Sequence, residues 1–290
     1  MIHKRTPGVL LIACALALGG CTTMLTSMTN ARALEVGEVQ ASANLQANLH
    51  SEAIGGLVEG VRAIEQQFES NSGEQISEEE FRGWLDGVLL FSLFAPGVGP
   101  EFGARVGVSD GLLEGVDVGL RTDLSVVRGD VKLQLWEDTR GQALSTSVAY
   151  THHLGVASGV IEYATFSSFS RGDVELQLLW DLQSNDFVRF TIAPRIIVGR
   201  ISVESTFPQD ILARLPEQLR QYDPSRLFQD EWIVQYGGNA TVMAGYKYVW
   251  LAFDMGIYGT SFRPEVLGSR RDYSGGAIAI GAGLSGNYAF

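Results

Sequence analysis

VGEVQASANLQANLH, residues 36–50, reads as one strand with two unlike faces. Val39, Ala41, Ala43, Leu45, Ala47 and Leu49 occupy one phase of a two-residue repeat, and Glu38, Gln40, Ser42, Asn44, Gln46, Asn48 and His50 the other. Successive side chains of a strand point to opposite sides of its sheet, so this stretch divides an apolar surface from a polar one over its whole length.

The alternation recurs down the chain. Phe102, Ala104, Val106 and Val108 oppose Arg105, and Val116, Val118 and Leu120 oppose Asp117 and Arg121, with a turn at residues 108–111 that makes the two a hairpin. Val131, Leu133 and Leu135 oppose Lys132 and Gln134; Leu144, Thr146, Val148 and Tyr150 oppose Ser145, Ser147 and Thr151. Further strands are expected at 160–169, 173–181, 188–192, 233–246 and 249–257. Each is about ten residues long, enough to cross a bilayer at a tilt. The 34 glycines among 290 residues, well above the usual share of about 7%, suit short strands split by turns. After residue 20 there is no apolar run long enough for a helical span.

A soluble lipocalin-like barrel or sandwich shows the same period with its apolar face inward. The polar phase decides between them. It carries the acids Glu38, Asp117, Glu162, Glu175, Asp181 and Asp254 and the bases Arg105, Arg121, Lys132, Arg189 and Arg195 beside small residues, as a polar barrel interior does. Trp136, Tyr150, Trp180, Trp232, Tyr246, Tyr248, Trp250, Tyr288 and Phe290 fall near strand ends, where interfacial girdles are expected. The fold class is therefore all-β, a transmembrane antiparallel barrel.

The chain starts with basic His3, Lys4 and Arg5 and an apolar run over residues 9–18, the size of a signal-peptide core and too short to span. It closes on Leu18, Gly19, Gly20 and Cys21, which resemble the lipobox of bacterial lipoproteins. That resemblance implies a signal at 1–20, cleavage before Cys21 and acylation of its thiol; Thr22 in place of Asp implies sorting to the outer membrane. The last strand places Ile278, Ile280, Ala282, Leu284, Tyr288 and Phe290 opposite Ala277, Ala279, Gly281, Gly283, Ser285 and Asn287. It resembles the terminal strand of bacterial outer-membrane barrels, where a final Phe is read by the assembly machinery. The expected partners are outer-membrane lipids and the barrel-assembly and lipoprotein-sorting machineries.

Eleven strands can be read, but a chain tethered on the periplasmic leaflet at Cys21 and ending there at Phe290 crosses an even number of times. The expectation is about twelve, with ten as the alternative and the missed strand placed within 187–231, where Pro194 interrupts an apolar stretch. Residues 21–35 are expected to be a lipidated N-terminus and linker, and 36–290 the barrel. Two helical inserts are expected. In 51–94, Ile54, Leu57, Val58, Val61, Ile64 and Phe68 share a helical face, and Ser77 to Glu80 open a second helix carrying Phe81, Trp84, Leu85, Val88 and Leu89. In 208–231, Ile211, Leu212, Leu215 and Leu219 lie at helical spacing. These inserts could form a packed loop domain that binds a protein partner, lie on the membrane, or plug the barrel.

Loss of Lys4 and Arg5 with the signal moves the net charge from −12 to −14, which argues against nucleic acid as a partner. Cys14 leaves with the signal and Cys21 is acylated, so neither a disulfide nor a thiolate metal site is expected, and no cofactor beyond the lipid. His152 and His153 point to opposite faces of a strand and cannot share one ligand sphere. Outer-membrane barrel hydrolases pair a lipid-facing His and Ser, but here Ser167 falls toward the opposite end from His152, so no catalytic residue is assigned and an esterase or deacylase is a minor alternative. Two functions stay open: a narrow porin-like channel for small polar solutes, and a structural or partner-binding barrel with a packed lumen.

Overall fold

In a computed structural model the chain folds as a closed antiparallel barrel of ten strands. The structure describes residues 25, 26, 28–51, 77, 82, 83, 85, 86, 89, 93, 94, 97–109, 115–123, 125–154, 165–185, 187–206, 226–266 and 268–290. The barrel strands are β1 (Glu38–His50), β2 (Gly97–Ser109), β3 (Gly115–Thr122), β4 (Val126–Glu137), β5 (Ala143–His153), β6 (Thr165–Asn185), β7 (Val188–Thr206), β8 (Arg226–Tyr246), β9 (Val249–Phe262) and β12 (Gly275–Ala289). Two short strands, β10 (Glu265–Val266) and β11 (Ser269–Arg270), form a separate hairpin between β9 and β12. Neighbours in sequence pair in space, and β12 closes on β1 in a ladder from Glu38 opposite Ala289 to His50 opposite Ala277. Closure leaves no free edge.

Ten strands, the alternative count, replace the twelve expected first. The segments read separately at 160–169 and 173–181 belong, in their described part, to the single strand β6, which runs through Arg171 and Gly172 without a turn. No additional barrel strand appears among the described residues of 187–231, and Pro194 lies inside β7. The β6–β7 ladder pairs Gln177 with Arg195 and Trp180 with Ile192 and skips the positions between, while Pro194 still pairs with Gly238 on the β8 side. A proline lacks the donor for one ladder only, so a local break on one flank accommodates it in a closed sheet.

The two ends of the barrel differ. At one end, residues 138–142 and 247–248 are tight turns; at the other, β1 and β2 are separated by residues 51–96 and β9 and β12 by 263–274. β6, β7 and β8, of 21, 19 and 21 residues, extend beyond their neighbours at this long-loop end. The second expected insert is shorter than 208–231, because β8 begins at Arg226; residues 208–225 lie outside the described residues. Within 51–94, Arg82, Gly83, Leu85, Asp86, Leu89, Leu93 and Phe94 have helical backbone, but no complete helix is delineated among the described residues.

Burial follows the two-residue period. Leu45, Leu120, Leu176, Leu251, Ile257 and Ile280 are exposed on the outside, while Asn44, Asp117, Glu175, Ala252, Asp254 and Ala279 are buried inside. Trp136, Trp180, Tyr246, Tyr248, Tyr288 and Phe290 are exposed toward the short-turn end, and Tyr150, Trp232 and Tyr236 toward the other. Trp250 is the exception among the expected girdle residues. It is buried in the lumen, where the Arg189 guanidinium lies 4.4 Å from its ring centre.

Candidate functional site in the barrel lumen

One wall of the lumen, from β2 to β7, is a lattice of paired charges. Arg105 of β2 bonds both Asp117 of β3 and Asp130 of β4, and Lys132 of β4 reaches Asp117 at 3.0 Å. Arg128 and Arg195 share Glu175, at 2.9 and 3.3 Å. Toward the long-loop end Arg171 and His153 meet Asp173 at 2.9 and 3.2 Å, and Arg121 faces Glu101 at 3.7 Å. Asp117 is 0% exposed and Lys132 and Arg128 each 1%, so these groups are shut off from solvent. Seven buried carboxylates face six buried Lys and Arg side chains among the described residues, a near balance in a chain of net charge −12. Taking each ion from water costs several kcal/mol, which only such mutual pairing offsets.

Among the described residues, 25, 26 and 28–34 of the chain itself lie in the interior beside this wall. Val36 bridges Gly107 near the short-turn end of β2, where a glycine is required because a Cβ would stand 2.0 Å from the Glu35 carbonyl oxygen. The Leu34 amide donates to Asp117 and the Ala33 amide to Gln134, at 3.1 and 2.6 Å. Lys132 donates to the carbonyls of Asn30 and Arg32 at 3.1 and 2.5 Å, and Ser145 donates to that of Ala31. Met28 packs with Met243, Trp250 and Ala252. Leu25 lies against Ile197, Tyr258, Ala277 and Ala279, and its carbonyl accepts from Arg195, Asn239 at 2.9 Å and Tyr258 at 2.8 Å. A buried segment must satisfy its backbone groups somewhere, and here the wall does much of it.

At the long-loop mouth, Phe94 packs on His50 and Phe262 with ring centres 5.2 and 6.4 Å apart, and Leu85, Leu89 and Leu93 are buried. Polar contacts fasten this layer. Tyr273 donates to Asp86 at 2.6 Å, Arg271 approaches Asp86 at 3.4 Å, and Arg82 donates to Ser269 at 2.9 Å. Burial, and then the hydrogen bond to the Asp86 carboxylate, push the Tyr273 hydroxyl up from its ordinary pKa, which keeps it a donor.

Of the expected lumen residues, Arg105, Asp117, Arg121, Lys132, Glu175, Asp181, Arg195 and Asp254 are buried inside. Asp181 accepts from Thr191 at 2.5 Å; Asp254 accepts from Asn239 at 2.6 Å and from Thr241. Glu38 and Arg189 are half-buried toward the short-turn end, with Glu38 accepting from Asn287 at 2.8 Å. Glu162 and Cys21 lie outside the described residues. His152 is exposed and His153 buried, on opposite faces. Glu101, Arg128, Asp130, Arg171, His153 and Tyr258 are further buried groups of the interior, beside Asp173. All lie within a few residues of the alternating stretches and in the phase of their polar face, Arg171 two residues before Asp173.

Between the segment and the charged wall is a polar cavity of about 20 Å³, lined by Met28, Thr29, Gln40, Ser42, Asn44 and Arg121 among others, room for about one water. A concavity of about 770 Å³ lies on the outer wall along Val39, Val106, Val118, Leu120, Val131 and Val174, and is apolar.

No family model and no curated relative matches the chain. Among solved structures it is similar to Ail, the attachment invasion locus protein of Yersinia pestis, at 8% identity and TM-score 0.33 over 87% of this chain and 99% of that one. Neisserial surface protein A matches at 10% identity and TM-score 0.30, over 87% and 96%. The Acinetobacter baumannii outer membrane protein Omp33 matches at 8% and 0.20, over 88% and 100%. These likenesses are weak in both sequence and superposition.

Proposed function

We propose that this chain is an outer-membrane β-barrel lipoprotein with a closed lumen, acting as a structural or partner-binding protein and not as an open conduit. The apolar outer surface, aromatic residues toward both ends, and short turns opposite long loops support the membrane reading, with the long loops outside. The lipid anchor rests on Leu18 to Cys21, and recognition by the assembly machinery on the strand ending at Phe290. The observation that carries the closed lumen is the burial of its charges, most of them paired with an opposite charge and Asp181 and Asp254 held by neutral side chains of neighbouring strands. A solute path needs hydrated charges, and these have exchanged their water for one another. The long-loop face, where Phe94 packs on Phe262 and Asp86 accepts from Tyr273, is the surface left for a protein partner. Purified protein in planar bilayers should give no steady conductance steps; steps of porin size would overturn the closed lumen and restore the channel for small polar solutes.

A further inference from the structure

We infer that the concavity on the outer wall is a binding site for one anionic lipid of the leaflet at the long-loop end, with an acyl chain lying over Gly129 and a phosphate headgroup held between His152 and Arg200. This rests on the membrane reading of the barrel. Gly129 lies inside β4, opposite Leu120 of β3 and Tyr150 of β5 on the outer face. No positive φ calls for a glycine there, and a Cβ built on it would meet nothing within 4 Å. A glycine in a strand interior that neither conformation nor packing requires marks a place where something from outside comes close to the backbone. Leu120 and Tyr150 stand on either side of the bare spot, and Val118, Val131 and Val148 line it toward the short-turn end.

On β5 and β6 the lining ends at Tyr150 and Val174, and the next outward positions toward the long loops are His152 and Gly172. His152, Gly172 and Arg200 are ladder partners in one row, so the imidazole and guanidinium side chains leave the wall about 10 Å apart with a bare position between them. The Tyr150 hydroxyl occupies that position, since a Cβ on Gly172 would stand 2.8 Å from it. Arg200 is exposed and is oriented by the Trp232 ring centre at 6.0 Å and by the Asp230 carboxylate at 3.0 Å. Asp230 takes part of the guanidinium fork and leaves further N–H donors for a phosphate. A hydroxyl, an imidazole and a guanidinium thus surround one gap beside Trp232, at the level where headgroups lie and at the end of an apolar furrow. A second copy of this chain does not fit the furrow, because a two-fold interface would set the same concave face on both sides.

The test is native mass spectrometry of the full chain purified in an uncharged detergent, with phosphatidylglycerol or diacylglycerol of the same acyl chains added. The expected result is one phosphatidylglycerol retained per barrel, with diacylglycerol held about tenfold less tightly, the factor that one charge-assisted hydrogen bond carries. Arg200→Gln should weaken phosphatidylglycerol by about the same factor, and Tyr150→Phe in the same direction by less. Gly129→Leu, which fills the furrow without a clash, should weaken both lipids, whereas Ala244→Leu on the exposed face of β8, across the barrel, should weaken neither. Equal retention of the two lipids, or of phosphatidylglycerol by every variant, overturns the inference. So does displacement by inorganic phosphate alone, which would make this a site for the free anion, and so does a lipid-free dimer that Gly129→Leu abolishes. A barrel that stays dispersed without detergent overturns the membrane reading instead. Heat-modifiable migration in gels shows which variants have folded, and the exposed Arg200→Gln decides the matter should Gly129→Leu fail to fold.

Discussion

The two walls of the lumen fill the same space by different means. From β2 to β7 the wall carries its own counter-charges, so Arg105, Asp117, Asp130 and Lys132 satisfy one another across three strands. From β8 to β12 the wall presents Ala252, Ala277, Ala279 and Gly281, and the volume they leave is taken by the side chains of Leu25 and Met28. The charged wall is a framework in its own right, whereas the small wall is complete only with the segment against it. Damage to the first should cost the barrel, and damage to the second should cost mainly the segment.

The largest effect is expected at the hub of the charged wall. Asp117→Leu strands Arg105 and Lys132 without their shared partner and should cost about 3–5 kcal/mol, read as a shift in urea unfolding in detergent. An equal loss for Ala279→Leu on the opposite wall would break the comparison. Next comes the outer surface behind the charged wall, where Val118→Arg should cost about 2–4 kcal/mol if this position lies near the bilayer midplane, seen as reduced assembly. The adjacent Gly119 faces inward, yet a Cβ there would meet Arg105 Nη2 at 2.7 Å and Asp130 Oδ1 at 2.8 Å, so Gly119→Arg should fail as well, by overpacking.

A smaller effect is expected where the walls differ most. The Cβ of a residue replacing Gly281 would stand 2.2 Å from Met28 Cε and 3.0 Å from Thr26 Cγ2. Gly281→Leu should therefore displace the segment at about 1–3 kcal/mol, with heat-modifiable migration kept and proteolysis within residues 25–36 accelerated. Loss of the barrel itself would show that the segment is part of the framework. The least should come from Arg32→Ala, which removes a half-exposed pair with Glu137 at 2.5 Å. About 0–1 kcal/mol is expected, with the segment still protected from protease.

The period-two pattern determined which residues face out and which face in, because side-chain direction along a strand is a local property. Asp117, Lys132, Glu175 and Asp254 could be placed inside, and Leu120, Leu176 and Ile280 outside, from their phase alone. Strand ends were less legible: Arg128, Asp130 and Tyr258 lay just past the stretches that alternate cleanly, and Arg171 fell in the gap between 160–169 and 173–181 that β6 closes. The strand number, the accommodation of Pro194 and the burial of Trp250 depended on partners from distant parts of the chain. So did the contents of the lumen. Nothing in the composition of residues 25–36 marks them as an interior segment, since their main choice of place is made by backbone groups, which every residue has, bonding to Lys132, Ser145, Arg195, Asn239 and Tyr258 on strands the sequence keeps up to 233 residues away. A repeat can be read where its physics is local; the occupant of a barrel is decided only when closure brings the donors together around it.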